Sequence, residues 1–215
     1  MRIIKASTEI ISSTPNLERV IELAGRTCYK SEDKITEESA SGFIEKVKSF
    51  KHESTLEHGA ITVRFIVDRG VSHELVRHRL ASFSQESTRY CNYGKDKFGN
   101  EITVIRPCWF PIITEESQPK TKELEAEGLW IASCHYAEQH YFELLSLGWT
   151  PQQARSVLPN SLKTEVVMTC NPREWRHVFK VRAHRDAHPQ MVEVMKPLLA
   201  EFQERWPALF GDVNP

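Results

Sequence analysis

The stretch GAITVRFIVDRG, residues 59–70, constrains the fold more than any other part of the chain. Ile61, Val63, Phe65 and Val67 point one way and Thr62 and Arg64 the other, the period of two that only a half-buried strand satisfies. Other elements arrange themselves around it. RIIKA at the start reads as a short strand, and ITVIRP as another, ended by Pro107. LKTEVVMTC reads as a further strand. Thr14-Pro15 reads as the start of a helix whose inward face is Leu17, Val20, Ile21 and Ala24. A second helix is predicted over 36–50, with Ala40, Phe43, Ile44 and Val47 on one side, and a short one over 71–77. A long helix over 119–147 has Leu124, Trp130, Tyr141, Leu144 and Leu145 as buried candidates and Gly148 as its stop. TPQQ at 150–153 and NPRE at 171–174 are helix starts, each with a capping residue, a following Pro and Gln or Glu at the third position. The last helix, over 190–205, buries Met191, Met195, Leu198, Leu199 and Phe202, and Pro197 should kink or split it. Helices flanking a few mostly antiparallel strands predict an α+β fold, with residues 1–215 forming a single domain.

Composition narrows the function. A net charge of −1 lacks the cationic surplus on which a dedicated nucleic-acid binder depends. No apolar run approaches the ~20 residues of a membrane helix, and MRIIKASTEI lacks the apolar core of a signal peptide, so a cytoplasmic location and no membrane partner are expected. Cys28, Cys91, Cys108, Cys134 and Cys170 are scattered and never form a C-x-x-C pair, which excludes a zinc ribbon and argues for reduced thiols. Cys91 has no evident base as a nucleophile.

Four segments carry chemistry. RHRLASFSQESTRY, residues 77–90, shows neither helical nor strand patterning and reads as a ligand-wrapping loop. Five arginines but three acids lie between positions 64 and 89, and a guanidinium grips phosphate with a planar fork of donors. HESTLEHG, 52–59, resembles the zinc motif H-E-x-x-H but has Leu56 where the second histidine belongs. On the helix begun at Asn171, Arg182 shares a face with Trp175, Val178 and Phe179, so it turns inward and needs a carboxylate or an anionic ligand. His184 and His188 have the i, i+4 spacing of metal ligands without further ligands of known pattern, and no metal is expected. Arg155 is a fourth arginine on a half-apolar helix. With no dinucleotide fingerprint, P-loop or G-x-S-x-G elbow present, these residues predict binding of phosphorylated small molecules through arginines, without a recognisable protein nucleophile. A nucleic-acid-binding module, and a metal-dependent hydrolase built on His52, His58, His184 and His188, are the competing readings.

Arg77-His78-Arg79, seven residues and then Ser87, with Arg89 and Tyr90 following, resembles the signature of the flavin-dependent thymidylate synthases. HESTLEH, ARSVLP at 154–159 and NPRE…VRA at 171–183 fall in that family's order. The resemblance implies an enzyme converting dUMP to dTMP, with the methylene from 5,10-methylenetetrahydrofolate and the hydride from FAD that NADPH reduces. It implies no covalent protein nucleophile, since the flavin carries the hard chemistry. By position, Arg77, His78, Arg79, Ser54, Gln85, Asn171, Pro172, Arg173 and His177 would hold FAD. Glu74, Arg77, Gln85, Glu86, Ser87, Thr88, Arg89, Arg155 and Arg182 would hold dUMP. Arg182, favouring ionised uracil, and Ser87 are the implied catalytic residues. The family's Asn-Glu is replaced by Ser84-Gln85, and a familiar Asn by His177. A homotetramer whose sites combine several subunits is also implied.

Overall fold

A computed structural model of the chain describes residues 1–111 and 120–215. Six strands run β1 (Arg2–Ile4), β2 (Ser7–Ser13), β3 (Ile61–Asp68), β4 (Ala81–Gln85), β5 (Thr103–Ile105) and β6 (Lys163–Cys170). The helices are α1 (Leu17–Thr27), α2 (Ser39–Ser49), α3 (Arg69–Leu75), α4 (Thr121–Ser146), α5 (Pro151–Ala154), α6 (Pro172–Arg182), α7 (Pro189–Arg205) and α8 (Pro207–Phe210). The architecture is α+β. One sheet has the order β2-β3-β6-β4 and a second, smaller sheet pairs β1 with β5. The second sheet is a parallel pair, Ile3 opposite Val104, within a fold expected to be mostly antiparallel. In the larger sheet β3 and β6 are antiparallel: Thr62 Oγ1 meets Thr169 Oγ1 at 2.9 Å, while the Arg69 amide donates to the Leu162 carbonyl at 3.1 Å.

The chain divides into two compact units. The first comprises residues 1–7, 66–75 and 85–166. Its core gathers Tyr93, Ile102, Val104, Cys134, Tyr141, Ala154 and Leu162. The second comprises residues 8–65, 76–84 and 167–215. An aromatic cluster fills it, Trp175 lying 5.7 Å from Phe179 and 5.2 Å from Phe202 between ring centres, with the Trp175 indole N–H donating to the Ile61 carbonyl at 3.0 Å. Each fully buried side chain of this size is worth about 1.5–3 kcal/mol relative to exposure. Ile61, Val63, Phe65 and Val67 are all fully buried, as their alternation demands.

Several expectations change. The segment 77–90 contains β4, a strand at the end of the sheet order, rather than a loop throughout. None of its side chains is buried, so neither face has to be apolar and no alternation shows. β2 has the same cause for its silence in the sequence, with most of its side chains at least partly exposed. Thr14-Pro15 does not cap α1. Asn16 in left-handed conformation (φ 50) precedes the helix, and the Thr14 hydroxyl accepts instead from the Ala60 amide at 2.9 Å. The inward face of α1 is Leu17, Ile21 and Gly25, and Val20 is exposed. α2 begins at Ser39 rather than 36, and α3 ends at Leu75 rather than 77. The first residue of the expected long helix, 119, lies outside the described residues, and Leu124 is exposed while Cys134 and Tyr141 are buried. Gly148 (φ 92) ends that segment as expected, in a conformation L side chains resist. Pro197 sits inside α7 without splitting it.

Candidate active site

In the second unit, α6 starts because Asn171 Oδ1 accepts from the Glu174 amide at 2.8 Å and Pro172 takes the first helical position, where no N–H is needed. NPRE is a cap on one side only, for the Glu174 carboxylate is turned to His78. The helical period lines up Glu174, Val178 and Arg182 on one stripe with His177 beside it. His78, the middle of the R-H-R triplet, is 7% exposed. Its Nε2 accepts from Arg182 Nε at 3.1 Å, and its Nδ1 stands 3.4 Å from Glu174 Oε1. The ring meets His177 edge-on at 5.7 Å. Burial first, then the positive Arg182 and the neighbouring His177, lower the His78 pKa to about 4. The imidazole is therefore neutral near neutral pH, and accepting at Nε2 places its proton on Nδ1, towards Glu174. The contact with Glu174 is a neutral ring facing a carboxylate, not an ion pair.

The inward arginine of the sequence reading is thus half-buried and held on an imidazole. Arg77 and Arg79 are exposed on either side of His78, and Ser54 is exposed on the 3-10 turn Glu53–Glu57. Arg173 reaches that turn, 2.5 Å from Glu57 Oε1 and 3.5 Å from Glu53 Oε2.

His78, Glu174 and His177 each offer a ligand atom within 4.8 Å of the others, the group among the described residues able to hold a metal ion. A metal on His78 competes with Arg182 for the ring and brings a second cation beside a guanidinium. This group is not the one that histidine spacing suggested. α6 ends at Arg182 and α7 starts at Pro189, so His184 and His188 do not share a helix, and His184 Nδ1 accepts from the Asp186 amide at 3.2 Å.

The first unit carries a cavity of about 490 Å³ whose lining includes Arg69, His73, Thr88, Gln152, Arg155 and Asn160. Asp68 caps α3 beside it, accepting from the Val71 amide at 2.7 Å. TPQQ forms its two-sided cap, which places Gln152 and then Arg155. Arg155 donates to the buried Thr88 hydroxyl at 3.2 Å, and Arg89 Nε donates to Gln152 Oε1 at 3.0 Å. Ser87 turns the chain, its carbonyl accepting from the Tyr90 and Cys91 amides and its hydroxyl from the Arg89 amide at 3.3 Å. Gln85 Nε2 donates to Ser72 and Thr164, at 2.9 and 3.3 Å. Glu86 is committed inside the protein: its carboxylate accepts from Tyr93 at 3.0 Å and from Lys163 at 2.8 Å, and its carbonyl from Arg69 at 3.3 Å. Burial and the Glu86 charge push the Tyr93 phenol far above its ordinary range and, more mildly, the Cys91 thiol upward, so Cys91 gains no thiolate character. Glu74 on α3 is half-buried.

Sequence reasoning missed Glu174, Arg69, His73 and Gln152. Glu174 was visible only as a cap residue, Gln152 only as the neighbour of one, and Arg69 only as one of several arginines. Chemically, the first unit offers guanidinium, hydroxyl and amide donors around a cavity, and the second a neutral imidazole bracketed by a guanidinium and a carboxylate.

The family model described as Thy1, thymidylate synthase complementing protein, matches residues 9–208. A flavin-dependent thymidylate synthase of Geobacter sulfurreducens is 30% identical over 213 residues, covering 96% of this chain and 86% of that protein. One from Corynebacterium aurimucosum is 33% identical over 217 residues, covering 96% and 84%. Among solved structures, a UMP/dUMP methylase PolB from Streptomyces cacaoi bound with 5-Br dUMP has a TM-score of 0.81 at 21% identity, covering 98% of this chain and 96% of its own. Thymidylate synthase X from Helicobacter pylori with FAD and dUMP has a TM-score of 0.73 at 23% identity, covering 97% and 98%. The two structures share the fold, and the matches along nearly the whole sequence show that the chain belongs to the family of flavin-dependent thymidylate synthases.

Proposed function

We propose that this chain makes dTMP from dUMP by reductive methylation, with 5,10-methylenetetrahydrofolate as carbon donor and NADPH restoring reduced FAD. The observation that carries the reading is the half-buried Arg182 held on a neutral His78, the middle residue of the R-H-R triplet. The donor set suits an anionic dinucleotide: Arg77 and Arg79 are exposed beside His78, and Ser54, Arg173 and His177 are exposed on neighbouring elements of the same unit. These residues, with Asn171, Pro172 and Gln85, would hold FAD, which when reduced supplies the hydride. Glu74, Gln85, Glu86, Ser87, Thr88, Arg89 and Arg155, with Arg77 and Arg182, would hold dUMP. Glu86 would act by buttressing, since its carboxylate is occupied by Tyr93 and Lys163. Arg182 would stabilise negative charge on the uracil ring and so raise the nucleophilicity of C5. His78, accepting at Nε2, aims that guanidinium. Ser87 would position the nucleotide or take part in the chemistry. We read both units as one domain of a cytoplasmic homotetramer with sites shared between subunits, in keeping with a single family model across residues 9–208. No helix of the described residues is long and apolar enough to cross a membrane.

The test is spectroscopic and then catalytic. Purified protein, or apoprotein titrated with FAD, should show flavin absorbance, and with folate, NADPH and dUMP should release dTMP. Failure to bind FAD, or FAD binding with no dTMP formed, refutes the proposal.

A further inference from the structure

Beneath Gln85 lies a buried polar network to which the reaction has assigned no role. Ser72 on α3 and Thr164 on β6 are both fully buried. Ser72 Oγ donates its single proton to the Arg69 carbonyl at 2.9 Å, so towards Gln85 it can only accept. The Gln85 atom 2.9 Å away must then be Nε2, and the amide has one orientation rather than two. Thr164 Oγ1 takes the other Nε2 hydrogen at 3.3 Å and also accepts from Arg69 at 3.4 Å. Both amide hydrogens are thus engaged inside the protein, on hydroxyls linked to the same Arg69 that lines the first unit's cavity. The carbonyl Oε1 is the atom left for a ligand, and it can only accept.

We infer that Ser72 and Thr164 are positioning residues that hold the Gln85 amide so that it offers an acceptor to an N–H or O–H group of the bound nucleotide, an inference that rests on the dUMP-binding reading above. The matching ligand chemistry is a neutral donor, such as an imide N–H or a sugar hydroxyl. A carboxylate at position 85 would present lone pairs where Ser72 has no proton to give without releasing Arg69, so the amide and the hydroxyl are a matched pair. Without Ser72 the Nε2 hydrogen facing it is left buried and unpaired, so the flipped amide becomes the favoured orientation and offering the acceptor to the ligand costs about one hydrogen bond.

The test is a double-mutant cycle on FAD-loaded enzyme, with dUMP affinity measured by calorimetry for wild type, Ser72→Ala, Gln85→Leu and the double variant. Ser72→Ala is expected to weaken dUMP binding about tenfold when Gln85 is present, the size of one hydrogen bond, and to have almost no effect when position 85 is Leu. A merely structural Ser72 would weaken binding equally in both backgrounds, and that result, or no loss in either, overturns the inference while leaving the proposed function standing. Wild-type holoenzyme that fails to bind dUMP overturns both. Should Ser72→Ala not yield folded holoenzyme, Thr164→Val enters the same cycle with the same expected coupling and the same refuting result.

Discussion

Replacing His78 by Gln gives the most demanding test of the site's electrostatics. The His78 side chain is 6% exposed, and its pKa of about 4 stands below the ordinary 6.5. Between these two values the unfolded chain binds more protons than the folded one, so this group's contribution to stability falls as pH drops from 6.5 towards 4 and is constant above that window. The full gap corresponds to about 3 kcal/mol at ~1.36 kcal/mol per unit, of which about 2 kcal/mol is lost between about pH 7 and about pH 4.5. Gln retains an acceptor and a donor but does not titrate. Urea unfolding of both proteins at those two pH values, at one protein concentration, should show the wild-type advantage shrinking by about that amount on acidification. Carboxylates such as Asp212 titrate in both proteins and cancel. An advantage that stays constant with pH would refute the buried neutral imidazole. So would a His78 resonance that titrates at the ordinary histidine value in the folded protein.

Three further outcomes are expected. Asn171→Ala removes the acceptor for the Glu174 amide and should lower stability by about 1 kcal/mol, seen as a lower Tm, with Asn171→Asp restoring most of it. Asp212 accepts two hydrogen bonds from the nearly buried Arg176, at 2.7 and 2.6 Å, and one from Lys48 at 2.9 Å, with Arg176 the main cause holding its carboxyl well below the ordinary range. Because that folded pKa is depressed, the stabilisation is present above the ordinary carboxylate pKa and is lost as pH falls below it towards the folded value. Asp212→Asn should therefore cost about 1–3 kcal/mol at neutral pH in chemical denaturation, less than a fully buried pair because Asp212 is half-exposed, and the cost should disappear in strong acid. Arg182→Ala should abolish dTMP formation while FAD absorbance is retained, and near-normal turnover would remove the role given to its guanidinium.

What the sequence disclosed depended on whether the information was local. Ile61, Val63, Phe65 and Val67 declare a buried strand because period and apolarity coincide within a few residues. Asn171-Pro172 declares a helix start for the same reason, since cap and first turn are contiguous. The R-H-R triplet and the Ser87 that follows it also lie close together in the chain, and they carried the resemblance. β4 was hidden because its pairing partner is remote and its own side chains are hydroxylated. Glu174 was hidden because its role is set by His78, far away in the chain, and no local pattern distinguishes a capping carboxylate from one that faces an imidazole. Arg182 was legible as an inward arginine, but its imidazole partner was not. The His184 and His188 pair shows the opposite error: a helical spacing was read where the chain leaves one helix and enters the next.

The position of β4 at the end of the sheet order has a consequence for solubility. An end strand presents a row of main-chain donors and acceptors to any extended peptide that drifts by, and long apolar end strands seed aggregates for that reason. This one is five residues long, with Ser82 and Ser84 exposed, and charged Arg79 and Arg89 lie near its two ends in the chain. An incoming strand that tried to extend the ladder would have to strip water from hydroxyls and crowd a guanidinium at either end. The residues proposed to hold a phosphorylated ligand thereby also act as gatekeepers against unwanted polymerisation.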